Sequence, residues 1–151
     1  MTDSPQREFV ARMSDLGAAL AFVEAFCAAR GIGSDDTLRL TLIVEELFTN
    51  TVEHGCGGDS DCAVALALDG DDEHVRLDYE DAAAPFDPRP HLAGAADGAG
   101  DTAQEHRVGG VGLHLVARLA ARIDYTREDG RNRLRLVLIR RSAPDLRPAR
   151  R

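Results

Sequence analysis

Apolar side chains recur along the chain with two different periods, and the period predicts which segments are helices and which are strands. Residues 14–30, 34–54 and 112–122 place apolar side chains at steps of three and four, which predicts three amphipathic helices. Alternating or short apolar runs predict five strands, at residues 8–13, 62–68, 74–80, 123–127 and 133–140.

Polar residues and glycines predict where these elements begin and end. Ser14 or Asp15 is expected to cap the first helix and Ser34 the second, while glycine at position 31 is expected to end the first. Turns rich in aspartate and glycine join the strands of each predicted hairpin, at residues 69–72 and 128–130.

The order of these elements, β-α-α-β-β-loop-α-β-β, favours an α+β fold. We expect a two-layer sandwich in which helices lie on one face of a mostly antiparallel, mixed sheet. Residues 88–108 are rich in Pro, Gly, Ala and Asp and predict a long loop, of a kind that is usually functional or disordered. A single domain over residues 1–140 and a flexible basic tail over residues 141–151 are therefore expected.

Charge and composition exclude several classes of protein. The 151 residues include 18 basic side chains, all of them arginine, against 26 acidic ones, for a net charge of −8. Without lysine, the chain cannot form a Walker-A phosphate loop, a kinase fold that depends on a strand lysine, or a Schiff base. An acidic body argues against nucleic-acid binding, and no apolar run reaches the roughly 20 residues of a membrane span. The odd count of three cysteines favours a reducing cytoplasm.

The second predicted helix carries a polar stripe. At about 100° per residue, Arg39, Glu46, Asn50 and Glu53 fall within an arc of about 60°. A carboxylate one turn before an amide can accept a proton or polarise a nucleophile, and the amide oxygen can bind a hard cation such as Mg²⁺. A solvated helix face is the alternative explanation of the same stripe.

Asp81 is a second candidate because it ends an apolar strand and enters a turn of small residues. A buried carboxylate at this point could accept a hydrogen bond from an exocyclic amine such as that of adenine. The alternative is an aspartate that simply closes the strand with a turn.

A glycine cluster leads into the third predicted helix and forms the third candidate site. Gly109, Gly110 and Gly112 allow backbone N–H groups to approach a phosphate at the helix N-terminus, although such helix starts are common. Arg107 is the nearest positive side chain that could face a terminal phosphate.

Together these three segments resemble the motifs of the Bergerat-fold (GHKL) ATPases, the superfamily of gyrase, the histidine kinases and MutL. Residues 44–54 resemble its N box, residues 81–88 its first glycine box and residues 109–116 its second. Within the superfamily, the chain looks most like the anti-sigma factor serine/threonine-protein kinases, the switch-protein kinases of partner-switching modules.

The resemblance implies an ATP-binding fold and a role for each motif residue. Glu46 matches the general base that activates a serine or threonine hydroxyl of an anti-sigma antagonist. Asn50 matches the magnesium ligand and Asp81 the adenine-binding aspartate. The glycines that would cradle the phosphates are Gly109, Gly110 and Gly112.

Ala83 departs from the family pattern, which places glycine two residues after the aspartate. Alanine does not adopt a positive φ cheaply, and its methyl group could crowd the base. The other interpretation is that the loop takes an ordinary α- or β-region conformation at this residue.

The sequence therefore predicts an ATP- and Mg²⁺-dependent serine/threonine protein kinase that phosphorylates a STAS-domain anti-sigma antagonist. A sigma factor or another regulated protein would be its second partner, a homodimer is one possible assembly, and no nucleic-acid or membrane partner is expected. The alternative, motivated by Ala83, is a nucleotide-binding partner-switching module without significant kinase activity.

Overall fold

The computed structural model describes residues 4–90 and 110–141. In chain order its elements are β1 (Gln6–Val10), α1 (Leu16–Ala29), α2 (Ser34–Asn50), β2 (Ala63–Gly70), β3 (His74–Asp81), α3 (Gly110–Leu119), β4 (Arg122–Glu128) and β5 (Arg131–Ile139). A 3₁₀ turn (Met13–Asp15) precedes α1, and a π-helical turn (Thr51–Gly55) extends α2. Each predicted helix and strand is present, with ends shifted by a few residues.

The strands form one five-stranded sheet in the order β1-β2-β3-β5-β4. Every pair among them is antiparallel, so the part of the sheet that the structure describes contains no parallel pair, whereas the sequence led us to expect a mixed sheet. The α+β class is confirmed. Two hairpins, β2–β3 and β4–β5, are joined by the pairing of β3 with β5.

One face of the sheet and the apolar faces of the helices form a common core. Along β2, the side chains of Val64, Leu66 and Leu68 are buried while their neighbours are partly exposed, as the period of two predicts. The buried side of α2 includes Ile43 and Phe48 at helical spacing. The other face of the sheet carries charged side chains in cross-strand ion pairs, for example between Arg135 of β5 and Asp78 of β3, 3.5 Å apart.

The start of α1 differs from the prediction because neither Ser14 nor Asp15 caps it through its side chain. The Asp15 carboxylate instead accepts a hydrogen bond of 2.9 Å from the backbone N–H of Val10. This contact ties the 3₁₀ turn to the end of β1. The predicted end of α1 is confirmed, since the N–H of Ile32 folds back onto the carbonyl of Cys27 at 2.9 Å.

The start of α2 also differs, because Gly33 rather than Ser34 occupies the N-cap position and no side chain caps the helix. The backbone N–H and the hydroxyl of Thr37 both donate to the Gly33 carbonyl, each at 2.9 Å. Asp36, in the first turn, is buried and accepts hydrogen bonds from the N–H of Arg141 at the end of the sheet. The first turn of α2 is therefore held by Thr37 and by the segment that follows β5, and not by a side-chain cap.

The turn between β4 and β5 matches its prediction. Asp129 and Gly130 have φ values of 52° and 75°, the two positive values that a two-residue hairpin turn of type I′ requires. The predicted loop at residues 88–108 and the tail at 141–151 lie almost wholly outside the described residues.

Candidate active site

A cavity of about 360 Å³ lies where the C-terminal end of α2 meets the end of β3, the segment 83–88, α3 and β5. Asn50, Asp81 and Ala83, three of the candidate residues predicted from the sequence, line it together. Leu47 and Leu113 contribute apolar wall from α2 and α3. A concave, mainly apolar pocket with a few converging polar groups is typical of a small-molecule site.

Asp81 is the last residue of β3, and its side chain is 8% exposed. Oδ2 accepts a hydrogen bond of 2.8 Å from the hydroxyl of Thr51, while Oδ1 accepts from Nδ2 of Asn132 at 2.9 Å and from the N–H of Ala83 at 3.2 Å. Three donors from three segments therefore fix the carboxylate, which argues against a simple turn-closing aspartate.

Thr51 reaches Asp81 from the first residue of the π-helical turn. Its hydroxyl also lies 2.7 Å from the hydroxyl of Tyr79, which is buried. The hydroxyl of Tyr79 also donates to the carbonyl of Leu47 at 3.1 Å. With the Thr51 proton directed to the carboxylate, the single proton of Tyr79 is shared between the Leu47 carbonyl and the hydroxyl oxygen of Thr51. Burial, followed by the negative charge of Asp81, raises the pKa of Tyr79 well above its usual value, so the phenol keeps that proton.

Asn132, in β5, is a buried residue of this site that the sequence analysis missed. Its Nδ2 donates to Asp81 and to the carbonyl of Ala84, both at 2.9 Å. Its Oδ1 accepts from the hydroxyl of Tyr125 at 2.7 Å and from the N–H of Phe86 at 3.2 Å. Asn132 thus connects the segment after β3 to the β4–β5 hairpin.

The orientation of the Asn132 amide follows from these partners. A flipped amide would place Oδ1 against the carboxylate of Asp81 and the carbonyl of Ala84, two acceptors, and would place Nδ2 against the N–H of Phe86, a donor. The observed orientation satisfies both donors and both acceptor positions of the side chain. A fully satisfied buried amide is a rigid support for Asp81.

Ala83 adopts an ordinary backbone conformation. Within residues 4–90 and 110–141, Asp129 is the one non-glycine residue with a positive φ, so position 83 does not demand glycine for its backbone. Its N–H donates to Asp81 and its carbonyl accepts a hydrogen bond of 2.8 Å from Nη1 of Arg127. Of the two interpretations of Ala83, the ordinary loop conformation is the one found here.

Asn50 ends α2 one residue before the π-helical turn and lines the cavity. Its Oδ1 is buried and accepts no hydrogen bond from any residue that the structure describes. A buried carbonyl oxygen without a donor is costly, and a hard cation satisfies such an oxygen. The side chain therefore fits the predicted role of a magnesium ligand.

Glu46 lies one helical turn before Asn50 and is partly buried. Desolvation, and then the charge of Glu45, raises the pKa of its carboxyl group above the usual value for glutamate. The cavity walls do not include Glu46, which places it beside the pocket rather than in it.

Arg39, on the predicted polar stripe, serves another part of the fold. Its guanidinium forms an ion pair of 2.6 Å with Asp36 and donates to the carbonyls of Ile139 and Leu119. It joins the start of α2 to the ends of β5 and α3, so the stripe is not one functional face.

The second glycine segment is described only in part. Arg107 and Gly109 lie outside the described residues, whereas Gly110 and Gly112 belong to the first turn of α3. Leu113, at the end of that turn, lines the cavity. The first turn of α3 therefore lies next to the cavity.

A family model described as a histidine kinase-like ATPase domain matches residues 9–138. The chain belongs to the histidine kinase-like ATPase family. The match covers all three motif segments and confirms the resemblance drawn from them.

The fold of this histidine kinase-like ATPase is also found among solved structures. A chain of the SiaB–SiaC complex from Pseudomonas aeruginosa superposes with a TM-score of 0.58 at 13% sequence identity, covering 89% of this chain and 88% of that one. At this identity the similarity concerns the fold. No curated protein sequence gives a significant match.

Membership of the ATPase family implies that the chain binds ATP. The residues present fit that ligand, because the cavity offers a fixed carboxylate at Asp81 and an unsatisfied amide oxygen at Asn50. None of the helices in the described ranges is long and apolar enough to cross a bilayer.

Proposed function

We propose that this ATPase-family protein is an ATP- and Mg²⁺-dependent serine/threonine protein kinase that phosphorylates a STAS-domain anti-sigma antagonist. The observation that carries the proposal is the buried Oδ1 of Asn50, which has no hydrogen-bond donor in the described part of the chain and lies in the same cavity as the hydrogen-bonded carboxylate of Asp81. The amide oxygen of Asn50 suits a hard cation, and the fixed carboxylate of Asp81 suits the exocyclic amine of a nucleotide base.

The hydrogen bonds of Asp81 favour adenine over guanine. An ionised carboxylate has about four acceptor positions. Among the described residues, Oδ1 accepts from Asn132 and Ala83, while Oδ2 accepts from Thr51 alone. The remaining position of Oδ2 can accept the exocyclic amine of adenine, whereas the carbonyl oxygen that guanine carries at the same ring position would be repelled.

In the proposed reaction ATP would transfer its γ-phosphoryl group to the substrate hydroxyl and leave as ADP, and Mg²⁺ would neutralise the charge of the phosphates. Asn50 would hold the cation through Oδ1, and the N–H groups of Gly110 and Gly112 would bind phosphate oxygens at the N-terminus of α3. Gly109 and Arg107 would complete the phosphate contacts. Glu46 would accept the proton of the substrate hydroxyl, and its raised pKa makes it a stronger base than an ordinary glutamate.

We propose partner switching as the use of this reaction. A phosphate added to the antagonist brings a charge of about −1.5 to −2 into its interface and releases it. The kinase would then hold a sigma factor or other regulated protein, in the cytoplasm, as a monomer or a homodimer. Residues 1–140 would act as the domain.

The replacement Glu46→Gln tests the catalytic assignment. We expect it to abolish transfer of label from γ-labelled ATP to the antagonist, because the amide cannot accept the hydroxyl proton, while nucleotide affinity stays within about twofold. Labelled antagonist would be measured on gels with Mg²⁺ present. Glu53→Gln, about two turns further along and exposed, is the matched control and should transfer normally.

A nucleotide-binding module without kinase activity is the alternative function, and the position of Glu46 outside the cavity walls favours it. Tight ATP binding by the wild type with no label on the antagonist would support this alternative and contradict the kinase proposal. Equal transfer by the wild type and Glu46→Gln would contradict only the role of Glu46.

A further inference from the structure

We propose that Gly55 and Ala83 form a complementary pair that shapes the cavity wall beside Asp81. In this pair the methyl group of Ala83 occupies the space that a side chain at position 55 would need. The inference deepens the proposed function and rests on it for the identity of the ligand, an adenine nucleotide. The departure from the family pattern at Ala83 is then matched by a glycine on the facing segment.

The distance between the two residues carries the inference. Both line the cavity, and a Cβ atom added to Gly55 would lie 3.0 Å from Cβ of Ala83. Carbon atoms in van der Waals contact are about 3.5–4.0 Å apart, so the two methyl groups would overlap. The next neighbours of that Cβ, Cγ2 of Thr51 and the carbonyl oxygen of Asn50, lie at 3.9 and 4.0 Å and leave ordinary room.

The backbone of Gly55 does not itself require glycine. Gly31, Gly57, Gly58 and Gly130 have positive φ values, and Gly55 is not among them. An L-amino acid could therefore adopt the backbone conformation at position 55. The obstacle to a side chain there is the methyl group of Ala83.

Ala83 cannot easily move aside. Its N–H donates to the carboxylate of Asp81 and its carbonyl accepts from Arg127 and, more weakly, from Asn132 at 3.4 Å. A methyl group at position 55 that pushed Ala83 away would therefore pull on Asp81, the residue proposed to bind the base.

The segment that carries Gly55 is anchored as well. The N–H of Cys56 donates to the carbonyl of Thr51 at 2.8 Å, and the N–H of Gly58 donates to the carbonyl of Val52 at 2.7 Å. Hydrogen bonds hold both sides of the contact, so the shift of a few tenths of an ångström that would relieve the overlap must strain at least one of them.

A double-mutant cycle tests the pair, using Gly55→Ala, Ala83→Gly and the double replacement. The readouts are the dissociation constant for ADP and the urea midpoint without nucleotide. We expect Gly55→Ala to weaken ADP binding about tenfold and to lower the midpoint, because overpacking displaces Ala83. The double variant should return to within about threefold of the wild-type affinity and recover most of the midpoint.

Two control variants separate the contact between positions 55 and 83 from the effect of adding a methyl group elsewhere and from the effect of added backbone freedom. Gly17→Ala adds a methyl group at an exposed helical position with no atom within 4 Å, and it should not weaken ADP binding. Ala82→Gly adds backbone freedom next to Ala83 at an exposed position outside the cavity, and it should not rescue Gly55→Ala.

The outcomes distinguish this inference from the proposed function. The steric pairing would be contradicted if the two replacements had additive effects on the urea midpoint, or if Gly55→Ala matched the wild type. Neither result would contradict the proposal that the protein binds a nucleotide. Wild-type protein that binds no ADP would overturn the proposed function, and coupling in the urea midpoint would then still support the steric pairing. If Gly55→Ala does not fold, Ala83→Gly and the double variant still decide the matter, since a double variant that also fails to fold overturns the pairing.

Discussion

At the scale of single residues, Asn132 is the side chain whose hydrogen bonds hold Asp81 and the neighbouring cavity wall in place. Replacing it with aspartate puts an acceptor where Nδ2 donates to Asp81 and to the carbonyl of Ala84. Two carboxylates would then face each other in a buried site. We expect Asn132→Asp to lower the free energy of unfolding by about 3 kcal/mol at pH 7, measured by urea denaturation.

Thr126→Asp is the matched control for this prediction, because it adds the same charge to an exposed position of the β4–β5 hairpin. It should change the free energy of unfolding by less than about 0.5 kcal/mol. An equal loss of stability in both variants would contradict the support assigned to Asn132.

The sequence predicted some residues of the cavity and not others, for a physical reason. Asn50 and Asp81 lie in short motifs whose chemistry is visible from neighbouring residues. Asn132 acts through the pairing of β3 with β5, which sets it directly opposite Asp81 across 51 positions of sequence. The sequence did carry one sign that Asn132 is buried, namely the alternation of side chains along β5. Asn132 falls on the same face of that strand as the buried Leu134 and Leu136.

At the scale of elements, the turn between β2 and β3 is held by one exposed carboxylate. Asp71 accepts hydrogen bonds of 2.8 Å from the N–H groups of Glu73 and His74, and its other oxygen accepts from Arg76 at 3.0 Å. These contacts lower its pKa from 3.8 to about 2. Because the folded-state pKa is depressed, this stabilisation is present above the unfolded value and is lost as the pH falls toward 2.

Asp71→Asn should therefore reduce the loss of folding stability that the wild type shows as the pH falls through the acidic range. We expect the wild type to be more stable than the variant at pH 5 and the difference to disappear between about pH 4 and pH 2, measured by urea midpoints across that range. Asp72→Asn, at the exposed neighbouring position of the same turn, is the control and should keep the wild-type pH dependence. A difference between wild type and Asp71→Asn that does not change with pH would contradict this role.

Element boundaries were predicted less well than the elements themselves. The period of apolar residues shows where a buried face runs, but it does not show contacts made at the ends of a helix, such as the hydrogen bond that the Asp36 carboxylate accepts from the N–H of Arg141. The π-helical turn was not predicted, since helical periodicity continues through residues 51–55. This turn matters for the site because its first residue, Thr51, donates a hydrogen bond to the carboxylate of Asp81.

At the scale of the whole molecule, the cavity lies between elements that are far apart in sequence. Its walls come from α2, the end of β3, α3 and β5. A ligand that contacts these elements together binds the folded chain and not the unfolded one. Nucleotide binding should therefore raise the stability of the whole domain, by about 2.7 kcal/mol when free ligand exceeds its dissociation constant 100-fold.

This linkage gives a direct test of Asn50 as the cation ligand. ADP alone should raise the melting temperature of the wild type, and Mg²⁺ should raise it further, because Oδ1 of Asn50 would hold the cation and the cation would neutralise phosphate charge. In Asn50→Ala the shift with ADP alone should remain, while the additional shift with Mg²⁺ should disappear. GDP should give the smaller shift in both proteins, because it presents a carbonyl to Asp81 where ADP presents an amine. If the Mg²⁺ increment survives in Asn50→Ala, another group holds the cation, and the unpartnered oxygen of Asn50 must have a different purpose.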